Sequence, residues 1–271
     1  MPEAVLALLA GLLTGSFLNV CIYRLPRDRS VIRPRSYCPA CNTPIAWYDN
    51  IPVVSYLLLG GRCRHCRTRI PLRYPVVELL TGAVFFLAVL PLGFSLASLK
   101  LCLFAALLIG LAFCDLERRI LPDQMTLGGA AAGLVLSTLE PFDFTFVQLF
   151  LPAWSPRSLS LLESLLGAGV GAGLLWFTGA VYRRVRGREG LGFGDVKMLA
   201  MIGAFFGLRG ALQTLIFGSL AGSIIGLIYI RAARKDYATY ELPFGTFLAF
   251  SALALALLQS PALLWYQGIF R

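Results

Sequence analysis

Charge is scarce in this chain. Asp, Glu, Lys and Arg together make up 14% of its 271 residues, where a soluble domain carries roughly a quarter. Acids are scarcer than bases, 14 against 24, which leaves a formal net charge of +10. There is one histidine, His65, and no Gly-rich dinucleotide fingerprint of the kind that follows a strand. The shortage of charge excludes an ordinary soluble domain. What takes its place is apolar: 58% of the residues are hydrophobic and the mean hydropathy is +0.75. The composition is that of a polytopic membrane protein. In such a protein basic residues collect in cytoplasmic loops, so no nucleic-acid partner is expected; the partner that composition does demand is the lipid bilayer.

Eight apolar segments lie near residues 4–23, 76–94, 96–113, 124–139, 160–182, 196–208, 210–230 and 243–268. The first carries Glu3 and no Lys or Arg ahead of a run that continues to Ile22, so it reads as a retained span and not as a cleaved signal. Small residues within the segments, as in "GAGVGAGLL" (167–175), let membrane helices approach closely. One large polar insertion, Arg24 to Pro75, has ten arginines against Asp28 and Asp49. Placing it in the cytoplasm puts the loops near 114–123, 183–195 and 231–242 there too. Twenty Lys and Arg then lie inside, and only Lys100, Arg157, Arg209 and Arg271 lie outside, as the positive-inside rule requires. The expected fold is all-α and polytopic, with about eight transmembrane helices and both termini outside. A first helix (1–23) precedes a small cytoplasmic domain (24–75), and the remaining seven helices occupy 76–271.

That small domain holds four of the seven cysteines, in "CPAC" (38–41) and "CRHC" (63–66). Two C-x2-C pairs can bring four thiolates to one tetrahedral zinc. A cytoplasmic location keeps the thiols reduced, and an insertion of this size has little core of its own without a metal. Cys38, Cys41, Cys63 and Cys66 are therefore the expected ligands of a closed, structural site, with His65 a bystander. Four free or disulfide-paired cysteines are the alternative. Trp47, Tyr48, Tyr56 and the apolar "NIPVVSYLLLGG" (50–61) suit docking against membrane helices or a peptide better than a phosphate backbone.

Four acids sit at the edges of apolar segments: Glu78, Asp115, Asp123 and Asp195. Ionisable groups near membrane depth are costly and are candidates for function. Asp115 and Asp195 can share one depth, and two close carboxylates titrate as a pair that divides acid and base roles. Gly192 and Gly194 would let a peptide approach Asp195. Taken singly, Asp195 and Asp123 read first as helix caps, and Lys197 either tunes the local field or, the preferred reading, snorkels to the surface. Glu78 reads either as part of a site or as the ion-pair partner of Arg73. The residues alone leave protease, proton- or ion-coupled transporter and scaffold all open.

A run of motifs narrows this. "GSFLNVCIYRLP" (15–26), the two cysteine pairs, "PLRYPVVELLTG" (71–82), "DLERRILPD" (115–123) and "GFGDVKM" (192–198) occur in an order that resembles the bacterial type IV prepilin peptidases. These are leader peptidase/N-methyltransferases and membrane aspartic proteases of the GxGD type. The resemblance covers essentially the whole chain. It implies an inner-membrane aspartic endopeptidase that removes short basic leaders from type IV prepilins and type II secretion pseudopilins, cutting after a glycine at the cytoplasmic face. It also implies methylation of the new N-terminus with S-adenosylmethionine, and a working connection to pilus or secretion machinery. By motif, Asp115 and Asp195 become the catalytic pair, Asp123 becomes structural, and Cys38, Cys41, Cys63 and Cys66 become zinc ligands. The cysteine loop points to the bacterial, bifunctional branch, because archaeal relatives generally lack it. Glu78, beside "RYP" (73–75), is the candidate methylation residue, and S-adenosylmethionine rests on the resemblance alone.

Overall fold

The computed structural model describes residues 1–187, 190–233 and 242–259. In chain order the helices are α1 (Pro2–Arg24), α2 (Val54–Leu58), α3 (Arg73–Leu92), α4 (Leu96–Arg118), α5 (Asp123–Leu139), α6 (Pro156–Arg186), α7 (Phe193–Ala232) and α8 (Phe244–Gln259). Among the described residues there is no strand, only the isolated bridges Tyr37–Pro44 and Arg62–Arg69. Five helices, α1, α3, α4, α6 and α7, are long and apolar enough to cross a membrane, and α8 is a shorter apolar helix. Arg188, Arg234 and Lys235, counted above as cytoplasmic, lie outside the described residues, as do Arg271 and the last apolar segment beyond residue 259.

The two apolar segments expected at 196–208 and 210–230 form one element. α7 has 40 residues, about 60 Å if straight, which is twice the hydrocarbon thickness. It breaks at Gly207, whose φ of 68° and ψ of −170° suit glycine and few other residues. A kink frees backbone groups that must find other partners. Here the Leu208 N–H donates to Oε1 of Glu163 (3.2 Å), and the Ser137 hydroxyl donates to the Ala204 carbonyl (2.9 Å). Oε2 of Glu163 accepts from the Val147 N–H (3.2 Å). Glu163 is thus a buried carboxylate spent on backbone donors at a helix break. The sequence reading passes over it, because nothing in its own neighbourhood announces the break.

The chain divides into two compact units, Met1–Gly110 and Leu111–Gln259. In the first, α1 lies directly on α3. A Cβ on Gly11 would stand 2.7 Å from Gly82 Cα, and one on Gly15 would stand 2.6 Å from Glu78 Cα. The motif "GSFLN" therefore presents Gly15, Ser16 and Asn19 to the backbone around Glu78. In the second unit α6 and α7 approach through Gly167, Gly203 and Gly207, where a Cβ on Gly203 would stand 2.2 Å from the Gly167 carbonyl carbon. Small residues four apart permit this backbone contact. It seats the half of α7 that carries Asp195.

Candidate active site

Within the second unit, the ends of three helices bring Asp115 and Asp195 together. Asp115 is in the last turn of α4 and Asp195 in the first turn of α7; both are buried. Gly245, in the first turn of α8, touches both. A Cβ there would meet Asp195 Oδ1 at 2.9 Å and Asp115 Cγ at 3.2 Å. The absence of a side chain at 245 is what leaves room for the two carboxylates, which are close enough for their charges to interact.

Two helix N-termini converge on this pair. The first N–H groups of a helix have no partner within it. In α8 the Thr246 N–H is such a group, and it donates to Asp115 Oδ2 at 2.7 Å. The Thr246 hydroxyl donates to the same oxygen at 2.9 Å. In α7 the residue before the first helical position is Gly192, and the Asp195 carboxylate accepts from its backbone N–H, as an acid at the third helical position does in a capping box. Cap and pair member are therefore compatible readings of Asp195. The oxygen near Gly192 is Oδ2 and the oxygen near Gly245 is Oδ1, so the cap leaves one oxygen facing Asp115's side. Sequence reading misses Gly245 and Thr246. Their one signal is "PFGT" (243–246), a proline, a glycine and a hydroxyl at the mouth of an apolar segment.

Asp123 opens α5 and is exposed, and its carboxylate forms an ion pair with Lys197. Lys197 therefore ties α7 to α5, with its ammonium at an exposed carboxylate. Its ammonium also stands 5.1 Å from the centre of the Phe193 ring.

The first unit holds the other candidates. The sulfur atoms of Cys38, Cys41, Cys63 and Cys66 all lie within 4.8 Å of one another, and those of Cys38 and Cys66 are 3.8 Å apart. Tetrahedral zinc with Zn–S bonds of about 2.3 Å separates its sulfurs by about 3.8 Å, so the cluster fits that ion. Both pairs use the same turn. The Cys38 N–H donates to the Thr43 carbonyl and the Asn42 N–H to the Cys38 carbonyl (3.0 and 2.8 Å). The Cys63 N–H donates to the Thr68 carbonyl and the Arg67 N–H to the Cys63 carbonyl (2.9 and 3.1 Å). Asn42 and Arg67 take the left-handed conformation that closes each turn (φ 54° and 59°). Hydrogen bonding from Thr68 pulls the Cys66 thiol down to about 6, and Thr43 lowers Cys41 in the same way. Burial pushes Cys38 up to about 11, a preference that a coordinated cation reverses. His65 contributes no atom to the cluster. Beside it, Asp49 pairs with Arg64 (2.6 Å), and Trp47, Leu57 and Leu58 remain exposed.

Glu78 is buried between α1 and the insertion. Its Oε2 accepts from the Val53 N–H at 2.8 Å, and Ser16 also hydrogen-bonds the carboxylate. Val53 has φ 61°, an outlier for a β-branched residue, so this bond helps hold a strained backbone. Arg73, the alternative partner, stacks its guanidinium 4.7 Å from the Tyr74 ring centre. Asn19 donates through Nδ2 to the carbonyls of Gly15 and Tyr74 (3.2 and 3.1 Å), while its buried Oδ1 has no partner among the described residues.

Two family models match the chain: the bacterial peptidase A24 N-terminal domain over residues 9–92 and the type IV leader peptidase family over residues 102–230. Among curated relatives, a prepilin leader peptidase/N-methyltransferase of Myxococcus xanthus is 39% identical over 246 residues, covering 89% of this chain and 69% of the relative. Proteins of the same description match from Neisseria gonorrhoeae (38%, covering 86% and 84%) and Aeromonas hydrophila (34%, covering 98% and 92%). No solved structure matches the chain significantly. The transporter alternative gains no support from these relatives. With the two models matching consecutive parts of the chain and relatives aligned over most of its length, the chain belongs to the type IV leader peptidase family.

Proposed function

We propose that this chain removes the leader from type IV prepilins and type II secretion pseudopilins and then methylates the exposed N-terminus, with Asp115 and Asp195 as the hydrolytic pair. The observation that carries the peptidase reading is the meeting of these two buried carboxylates at Gly245. Two buried carboxylates whose charges interact resist double ionisation, so one can take a proton from water while the other protonates the scissile carbonyl. The charge distribution supports an inner-membrane location with residues 24–75 and the Asp115 and Asp195 ends of α4 and α7 facing the cytoplasm, and both termini in the periplasm. A leader is cut there as the apolar segment that follows it stays in the bilayer.

The four cysteines would hold one structural zinc, since four sulfurs close the coordination sphere and leave no position for substrate. Purified protein is expected to contain one zinc per chain and to lose it in Cys38→Ser or Cys66→Ser, with a lower unfolding temperature as the metal is removed. Metal analysis that finds no zinc together with four accessible thiols contradicts this.

Methyl transfer is supported by the family's dual description and by the Glu78 cluster. S-adenosylmethionine would supply the methyl group. The Glu78 carboxylate and Asn19 Oδ1, which has no partner among the described residues, are acceptors suited to an ammonium or amine donor, and a strained backbone such as that at Val53 is common in functional sites. Incubating a prepilin with the enzyme and S-adenosylmethionine should give, by mass spectrometry, a product shortened by its leader and heavier by one methyl group. Glu78→Gln should cut methylation by about a hundredfold while leader removal stays within about twofold of wild type. Equal loss of both products in that variant contradicts a methylation role for Glu78.

A further inference from the structure

Both donors of Thr246 reach the aspartate pair. Its N–H and its hydroxyl lie 2.7 and 2.9 Å from the same oxygen, Oδ2 of Asp115. Thr246 is itself buried, and the nearest other acceptor for its hydroxyl, the Ala112 carbonyl, is more distant at 3.3 Å. Two donors fixed on one oxygen set the rotation of the Asp115 carboxylate about its own axis. With the backbone N–H and the hydroxyl both donating to it, that oxygen is stabilised as part of an ionised carboxylate. The Asp195 carboxylate is held differently, by a single backbone N–H from Gly192, with its other oxygen on the Gly245 side.

We propose that Thr246 is a positioning residue for leader hydrolysis: it grips Asp115 through two hydrogen bonds to Oδ2 and thereby makes Asp115 the water-activating carboxylate, leaving the shared proton on Asp195. The proposal rests on the reading of Asp115 and Asp195 as the hydrolytic pair. Asp115 takes a proton from water as the water oxygen bonds to the scissile carbonyl carbon, and Asp195 gives its proton to the carbonyl oxygen. On collapse the C–N bond breaks, the departing nitrogen takes the proton from Asp115, and the diol returns a proton to Asp195. The pair ends as it began. Thr246 touches neither water nor peptide in this scheme. It acts by keeping Asp115 aimed, and α8 contributes the N–H because that donor has no partner within its own helix.

The test compares wild type, Thr246→Val, Thr246→Ala and Thr246→Ser, purified as full chains in detergent, on a prepilin with its leader intact. Valine and alanine each remove the hydroxyl; serine keeps both donors. A hydrogen bond to a charged group that positions a reacting atom contributes about ten- to a hundredfold in rate. The expected result is a fall of that size in kcat for valine and alanine, with KM within about twofold of wild type, and serine within about threefold in kcat. Monodisperse elution and unchanged helical circular dichroism identify the folded variants, and alanine carries the test if valine fails that check. The proposal is overturned by a kcat within threefold of wild type in a folded variant lacking the hydroxyl. A loss confined to KM, or a serine variant as impaired as alanine, overturns it as well. Asp115→Asn and Asp195→Asn are assayed alongside. If either cleaves at the wild-type rate, the aspartate pairing itself fails; if both are inactive while Thr246→Ala is fully active, only the grip fails.

Discussion

Replacing Gly203 with valine is expected to leave almost no folded protein in detergent extracts. A Cβ at this position would stand 2.2 Å from the Gly167 carbonyl carbon, 2.3 Å from its oxygen and 2.5 Å from the Ala168 nitrogen. All three are backbone atoms, so no rotamer change can relieve the clash, and α6 and α7 must separate. Overpacking a core typically costs about 1–3 kcal/mol, and contact between two backbones lies at or above the upper end. That loss is a large share of a total stability of about 5–15 kcal/mol. The reciprocal position behaves alike, because a Cβ on Gly167 would stand 2.4 Å from the Gly207 carbonyl carbon. Gly169 and Gly173 lie on the same helix as Gly167, and a Cβ on either would meet nothing within 4 Å, so alanine at either should be neutral or slightly stabilising. Size-exclusion chromatography after a heating series checks all four variants. A Gly203→Val protein that elutes as a single species with the wild-type unfolding midpoint would contradict the packing described here.

The same contact illustrates what can be read in the sequence and what cannot. Small residues in "GAGVGAGLL" mark a close helix contact from composition alone, but they do not name the partner. Gly203 and Gly207 sit about forty positions away, in a segment that reads as an ordinary span. The break at Gly207 is legible as a boundary between two apolar runs. That it lies inside one long helix, with Glu163 and Ser137 taking up the freed backbone groups, depends on three separate elements meeting. The four cysteines are legible because their ligand spacing is local, and the repeated turn that presents each pair comes from a few adjacent residues. Asp115 and Asp195 are legible as motifs, whereas their physical meeting point is not. Gly245 and Thr246 are small residues in an apolar run, and their importance comes from a free helix N-terminus pointing at a carboxylate 131 positions earlier. Lys197 is a similar case: its place at the edge of a span is legible, but its partner, Asp123, is out of sequence reach.

The second large effect concerns the aspartates themselves. Asn has nearly the shape of Asp, but it neither accepts a proton at neutral pH nor delivers one as a carboxylic acid. Asp115→Asn removes the group that takes the proton from water, yet its amide oxygen can still accept from Thr246. Asp195→Asn removes the proton donor to the carbonyl, yet its amide oxygen can still accept from the Gly192 N–H. Local structure should therefore survive in both variants while acid–base chemistry is lost. General acid–base catalysis contributes about 10²–10⁴ in rate, and two groups that work as one unit lose little more when both are removed than when either is. Each single variant is expected to lose about 10³ or more in kcat/KM, and the double variant is expected to be no slower than the worse single one by more than a few-fold. Zinc content and methylation of a pilin whose leader has already been removed should remain near wild type in all three, because the cysteine cluster and Glu78 belong to the other compact unit.

The most direct measurement is the initial rate of leader removal from a purified prepilin by wild type, Asp115→Asn, Asp195→Asn and the double variant, each verified as folded by its elution profile. All three variants should fall together by about a thousandfold or more if Asp115 and Asp195 are the hydrolytic pair. Cleavage by either single variant within tenfold of the wild-type rate would contradict it.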